Sequence, residues 1–319
     1  MSKVKSTLVA CALFGTLASS GALAEYPERL ITIVVPFPPG GSVDPMARSL
    51  TEAIRQHLGE SAVILNQPGA GGTIGTSKVA TADNDGYTLG VTTVGPLTTQ
   101  PHLRQDLAYD VNSFEYICRT HITPQVLVVP STSPYQTLAD LVADAKANPD
   151  KLSFSSTGHG SVPHLVMLEF GQAAGFAWQH IPTKGDSDAL SLALSGSVTG
   201  WVSGVQTYSN MSTKLRALGL LESERSPIMP DIPTFKEQGY DLSFAGWGGL
   251  VAPKGTPPDV IEKLSNVCEL ATMSPAYEKL LETMHIPQGY LPAEEFKAFV
   301  LSEDERYSRF IKENGITAQ

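Results

Sequence analysis

Positive charge is scarce in this chain: 22 Lys and Arg face 32 Asp and Glu, a formal net charge of −10. Nucleic acids and anionic membrane surfaces reward basic patches, so neither is expected as a partner. A small anion stays possible, because a few local donors outweigh a distant, salt-screened net charge. Cysteine is rarer still, with three in 319 residues. Cys11 falls in the N-terminal leader, and Cys118 and Cys268 are too few and too far apart for a disulfide framework; two buried free thiols are expected. Beyond the leader no stretch approaches the ~18 apolar residues of a membrane-spanning helix. Also missing are a Gly-x-Ser-x-Gly elbow, a His-Glu-x-x-His zinc pair and a G-x-G-x-x-G dinucleotide turn. There is no internal repeat and no low-complexity tract.

What is present begins with an export signal over 1–24: Lys3 and Lys5, an apolar stretch over 7–22, and Ala22-Leu23-Ala24 before Glu25. Leu8-Val9-Ala10-Cys11 imitates a lipoprotein box, but few apolar residues precede the cysteine and the apolar run continues past it. Plain cleavage to a soluble periplasmic product is therefore expected. Cleavage removes two lysines and no acid, moving the charge from −10 to −12.

The mature chain alternates short β-branched runs with amphipathic segments. Strands are expected over 30–35, 62–65, 87–92, 126–129, 152–155 and 215–219, and helices over 45–57, 73–82, 138–147, 162–174 and 187–195. This alternation marks α/β layers with mainly parallel sheets, and the length suits two domains. "PQVLVVP" from Pro124 and "FAGWGGLVAP" from Phe244 read as two crossover strands. They divide the chain into one discontinuous domain, 25–123 with 247–319, and a second over 124–246. Two crossings make a hinge around a cleft, where small ligands bind.

Two loops have the chemistry to fill such a cleft. In "VVPFPPGGSVDPMAR", residues 34–48, a strand gives way to Gly40-Gly41, and Asp44-Pro45 reads as a helix cap and first helical residue. The exposed amides at the positive end of the helix dipole form an anion site made of backbone. "SFSSTGHGSVPHL", residues 153–165, repeats the plan, with Ser161 placed to cap its helix or donate to a ligand. His164 falls in the first helical turn, where the dipole disfavours an imidazolium, so it is expected to donate as a neutral ring.

The stretches "YPERLITIVVPFPPGGSVDPMAR", "NQPGAGGTIG", "DGYTL", "STGHGSVPHL", "LRALGLLESERSPIMPDIPTFKEQG" and "WGGLVAPKGTP" resemble the Bug, or TctC-like, solute-binding receptors of tripartite tricarboxylate transporters. The likeness runs in order over nearly the whole mature chain. It implies a two-domain, type II-like periplasmic binding protein; no cofactor is expected, the protein is expected as a monomer, and no metal site is expected, because His159 and His164 stand five apart across a turn and match no usual zinc spacing. Such a protein closes on a small carboxylate and delivers it to a separate membrane permease. By the resemblance, Phe37, Pro38, Gly40, Gly41 and Ser42 line one wall, Thr92, Thr93 and Gly95 another, and Ser156, Gly158, His159, Gly160, Ser161 and His164 the facing one. Thr183 stands where the family often has tyrosine, and Ser203 where it often has aspartate. His159 replaces a common asparagine, and Gln67 a common arginine.

Bland readings compete with these. "PGAGGTIG" over 68–75 departs from a nucleotide turn, and its glycines read as close packing at the domain surface. Lys184 reads equally as an anion contact or a solvated turn residue. Ser156 or Ser161 with His164 could be imagined as nucleophile and base of an exported hydrolase or isomerase, but helix-start roles explain them without catalysis. A ligand-loaded partner of a membrane sensor is a third reading that sequence does not separate from transport. Loss of the usual tyrosine and aspartate at Thr183 and Ser203 removes partners for an ammonium group. The expected ligand is thus a dicarboxylate or an aromatic carboxylate rather than an amino acid, with His159 a donor to a second carboxylate.

Overall fold

A computed structural model describes residues 26–40, 43–183, 185–226 and 228–317; the expected leader, Gly41, Ser42 and Lys184 lie outside the described residues. In chain order the first half contains β1 Ile31–Val35, α1 Asp44–Leu58, β2 Ala62–Asn66, α2 Thr73–Ala80 and β3 Thr88–Thr93. A π-helical turn, Gly95–Thr99, runs into α3 Gln100–Leu103. Then follow β4 Phe114–Pro130, α4 Leu138–Ala147, β5 Ser153–Ser156, α5 Val162–Ala174, β6 Gln179–Pro182, α6 Asp186–Leu194, β7 Gly200–Gly204, α7 Val205–Met211 and β8 Leu215–Leu220. The chain ends with β9 Ala245–Pro253, α8 Pro258–Thr272, α9 Pro275–Met284, β10 Gln288–Pro292 and α10 Ala293–Glu313.

The strands follow the order β2-β1-β3-β9-β4-β7-β5-β6, with β8 and β10 also paired to β4. The outer pairs β1–β2, β1–β3, β5–β6 and β5–β7 are parallel. Around the two long strands the pairing is antiparallel. β4 is much longer than the run over 126–129 expected from its valines: its first part pairs with β9 as far as Pro124↔Ala245, and pairing with β7 starts at Gln125↔Gly204. Proline lacks the donor a ladder needs, so it suits the point where one set of partners is exchanged for another. β9 begins at the same level, and the Phe244 amide donates to the Leu221 carbonyl. Both long strands therefore pass the same waist of the sheet.

One expectation fails outright. Cys118 and Cys268 are not free thiols but a disulfide joining β4 to α8, with Cα atoms 6.5 Å apart. That spacing lies in the normal bonding range, and the 150 residues between the cysteines hide it from any reading of spacing. The bridge sits in an apolar core of Ile31, Ile33, Leu50, Ile117 and Leu264. No helix among the described residues is long and apolar enough to cross a membrane.

Candidate functional site

The turns after β1, β3, β5 and β7 all leave the carboxyl ends of strands with parallel partners, the place where open α/β sheets gather ligands. After β1, Phe37 is half-buried and Pro38 and Gly40 are exposed. Gly40 takes φ +80°, which a side chain there adopts only with strain. Asp44 is not the expected helix cap: Val43 holds that position without a side-chain hydrogen bond, and Asp44 is the first residue of α1. Its buried carboxylate turns back on the loop instead. It accepts from the Gly40 amide at 3.3 Å, from Asn66 Nδ2 at 3.3 Å and from Arg48 Nε at 2.9 Å. Asn66 also donates to the Phe37 carbonyl at 3.0 Å. Burial alone would raise the Asp44 carboxyl, but hydrogen bonds from Arg48, Gly40 and Asn66 outweigh it and hold its pKa below the ordinary 3.8.

The glycine run after β2 packs against this loop, as its bland reading expected. A Cβ on Gly75 would lie 2.8 Å from Pro36 Cα and 2.9 Å from the Gln67 carbonyl. A Cβ on Gly72 would lie 3.4 Å from the Phe37 ring and 3.1 Å from Pro96. After β3, Thr93 is half-buried and Thr92 buried, and Thr92 Oγ1 finds no hydrogen-bond partner among the described residues. Gly95 opens the π-helical turn, and a Cβ there would meet nothing within 4 Å.

The turn after β5 is built from hydroxyls and imidazoles. Ser161 occupies the cap position of α5, yet its hydroxyl donates to the Gly158 carbonyl at 2.7 Å and leaves the helix without a side-chain cap. Free amides at such a helix start form an anion site. Ser156 Oγ accepts from the Gly158 amide at 3.2 Å and lies 2.7 Å from His180 Nε2. The Gly160 amide donates to His164 Nδ1 at 3.0 Å, so the neutral ring carries its proton on Nε2. Burial, then the neighbouring rings of His180 and His159, push the His164 pKa down to about 3. Burial, then His159, take His180 to about 4.

The two sides meet at one seam. Thr99 Oγ1 donates to the Gly160 carbonyl at 2.9 Å, and a Cβ on Gly160 would overlap Leu103 Cδ1. Thr183 and Ser203 use their hydroxyls within the chain. Thr183 Oγ1 lies 2.9 Å from the carbonyls of Ser156 and Gly185, and buried Ser203 donates to Gly204 at 2.9 Å. Sequence reasoning missed Asn66, Thr99, His180 and Gln206. Gln206, just after β7, has a buried Oε1 without a partner among the described residues. No spacing signal marks any of the four, because each enters through a contact distant in sequence or an unmet hydrogen bond.

The family model described as the tripartite tricarboxylate transporter family receptor, TctC, matches residues 46–316. Protein BugT of Bordetella pertussis is 33% identical over 94% of this chain and 93% of its own length. The solved periplasmic binding protein BugD is 32% identical, with 92% of this chain and all of that chain covered and a TM-score of 0.81. Rpa4515 of R. palustris, solved with adipate, is 27% identical over 92% of this chain and 99% of its own, with a TM-score of 0.83.

Proposed function

Because this chain belongs to the tripartite tricarboxylate transporter receptor family, we propose that it is a periplasmic receptor that takes a small carboxylate into the cleft between its two loops and hands it to a membrane permease. The observation that carries this reading is the seam. Two helices without side-chain caps start at the carboxyl ends of parallel strands, and Thr99 and Gly160 bring their loops' surroundings together. Amides, hydroxyls and a neutral imidazole suit a carboxylate held by many modest donors, whereas a phosphate clamp would call for arginine. The units that close on the ligand are 25–123 with 247–319, and 124–246; the exchange of β4 partners at Pro124 and Gln125 supports that division.

For the ligand class, the reading favours a dicarboxylate or an aromatic carboxylate over an amino acid. Thr183 and Ser203 offer no acidic or phenolic partner to an ammonium group, and their hydroxyls are engaged by backbone. Adipate in the R. palustris relative is a dicarboxylate, which supports the same class. A differential scanning panel tests it: C4 to C6 diacids, citrate, benzoate-type acids, aspartate and glutamate. At a ligand concentration a hundredfold above Kd, stabilisation of about 2.7 kcal/mol is expected. Shifts by the amino acids alone would overturn the ligand class, and catalysed loss of any compound in a matching ester and amide panel would replace the receptor reading by an enzyme.

A further inference from the structure

The second loop holds a group of side chains that gripping a carboxylate does not require. His159 in the turn, His164 in the first turn of α5 and His180 on β6 each offer a ring nitrogen, and these atoms lie within 4.8 Å of one another. The rings of His164 and His180 stack with centroids 4.0 Å apart, and His159 lies 4.4 Å from His164. Phe154 backs the group, stacked on His180 at 4.8 Å. A purely structural stack could equally be made of phenyl rings, whereas imidazoles add nitrogen lone pairs that a transition ion can use. Here one nitrogen of His164 and one of His180 are bonded, to the Gly160 amide and Ser156. Their other nitrogens, and both of His159, have no hydrogen-bond partner among the described residues.

We propose that His159, His164 and His180 form a binding site for a divalent first-row transition ion such as Zn2+ or Cu2+, held by three imidazole nitrogens with a coordination position left open. Imidazole suits these ions, whereas Mg2+ and Ca2+ seek oxygen. Three-histidine sites with an open position are a known zinc arrangement.

A tetrahedral ion with Zn–N near 2.0–2.1 Å sets ligand nitrogens about 3.3 Å apart, so the rings must draw together by up to about 1.5 Å. His159 is the residue able to move. It stands between Gly158 at φ +126° and Gly160 at φ +72° and is only half-buried. Ligation through His164 Nε2 transfers that ring's proton to Nδ1 and gives up the Gly160 hydrogen bond. The shift of 158–160 that frees His164 and brings His159 in also loosens the bonds of Ser161 and Thr99 to the Gly158 and Gly160 carbonyls, a cost that three metal–nitrogen bonds must outweigh. The open position takes water or, if the receptor reading above holds, an oxygen of the bound carboxylate.

The test is calorimetric titration of tag-free mature protein, stripped with a chelator and free of carboxylates, with Zn2+, Cu2+ and Mg2+. One saturable equivalent of Zn2+ and of Cu2+, and none of Mg2+, is expected, with nitrogen hyperfine structure in the Cu2+ electron paramagnetic resonance spectrum. His159→Gln and His180→Gln should each weaken binding by about tenfold or more, on the scale that ligand-shell changes produce. Both positions are incompletely buried, and circular dichroism verifies their folding; buried His164→Gln is the less safe variant. Absence of a one-to-one Zn2+ event, or equal affinity in wild type and both variants, overturns the site. Carboxylate-induced melting shifts in stripped wild type test the receptor reading alone, so the two ideas fail separately.

Discussion

The turns after β1 and β5 share a plan, strand then glycine turn then helix with proline in its first turn, but they are held by opposite chemistry. The first is fixed by a charge: the Asp44 carboxylate binds the Gly40 amide while Asn66 ties down the Phe37 carbonyl. The second has no charged support among the described residues; hydroxyls of Ser156 and Ser161 and the ring of His164 fold the turn on itself. Their surroundings differ as well. Gly40 is exposed and a Cβ there would meet nothing within 4 Å, whereas Gly160 is buried against Leu103 and Gln100 of the other side. A carboxylate placed in the first loop consumes an amide that could otherwise face an anion. The second loop keeps its helix start open and carries the seam, so under the receptor reading proposed above it is the loop that should dominate closure and affinity.

The largest effect should come from the covalent link that only the first loop's half has among the described residues. Reducing Cys118–Cys268, or replacing both by alanine, is expected to cost about 2–4 kcal/mol by limiting the unfolded chain less. Chemical denaturation followed by a probe in each half checks whether the loss falls on the half containing β1. Equal destabilisation of both halves would show that the waist of β4 and β9 couples them into one unit, and the contrast between loops would then be local only.

Of comparable size for its first member is the pair Gly160→Val and Gly40→Val. Both glycines have left-handed φ, +72° and +80°, so each valine carries about 1–2 kcal/mol of backbone strain. Only the valine at 160 also drives a side chain into Leu103, which adds about 1–3 kcal/mol of overpacking. Urea melts should rank Gly160→Val well below Gly40→Val, and any carboxylate that stabilises wild type should lose more of its effect in the former. Equal losses would mean that the seam at Thr99 and Gly160 contributes nothing beyond backbone geometry.

The contrast between loops also marks what could be read from sequence. The helices over 138–147 and 162–174 fall where expected, because local signals bound them: Thr137 and Asp140 form a capping box, and Gly175 ends α5 in the left-handed conformation. The strand–glycine–proline plan of both loops is local too. What escaped is long-range. The disulfide spans 150 residues, Thr99 meets Gly160 across 61, and His180 joins Ser156 across 24. Asp44 shows the subtler failure, since an acidic residue before proline suits a cap, yet the arrival of Asn66 from β2 and the fold of the loop give its carboxylate better partners. The extent of β4 was hidden because charged and polar residues such as Glu115, Arg119 and His121 interrupt its apolar pattern while the ladder to β9 continues.

A smaller effect, with a pH signature, is expected from Asp44→Asn. The amide side chain keeps one acceptor but sets a donor against Asn66 or Gly40, a loss of about 1 kcal/mol. The folded-state pKa of Asp44 lies below the ordinary 3.8, so its support is fully present above 3.8 and lost as pH falls through the folded value. The gap in melting temperature between wild type and Asp44→Asn should therefore be constant from pH 7 to about 5 and close below 3.8. A gap that persists in stronger acid would place the damage in packing rather than in the charged acceptor.

The smallest expected effect separates the two jobs that the Asp44 carboxylate performs. Arg48 approaches it at 2.9 Å from the next helical turn, but the arginine side chain is 61% exposed while the aspartate is 6% exposed. Solvent screens a pair with one exposed end, so Arg48→Gln should cost only about 0.2–1 kcal/mol and less in high salt. The Gly40 and Asn66 donors remain in that variant, and amide exchange at Gly40 should stay close to wild type. If Arg48→Gln instead matches Asp44→Asn in stability and speeds exchange at Gly40, the first loop is organised by its ion pair rather than by a carboxylate gripping backbone. The first loop would then depend on salt where the second, held by neutral groups, does not, and the difference between them would widen rather than disappear.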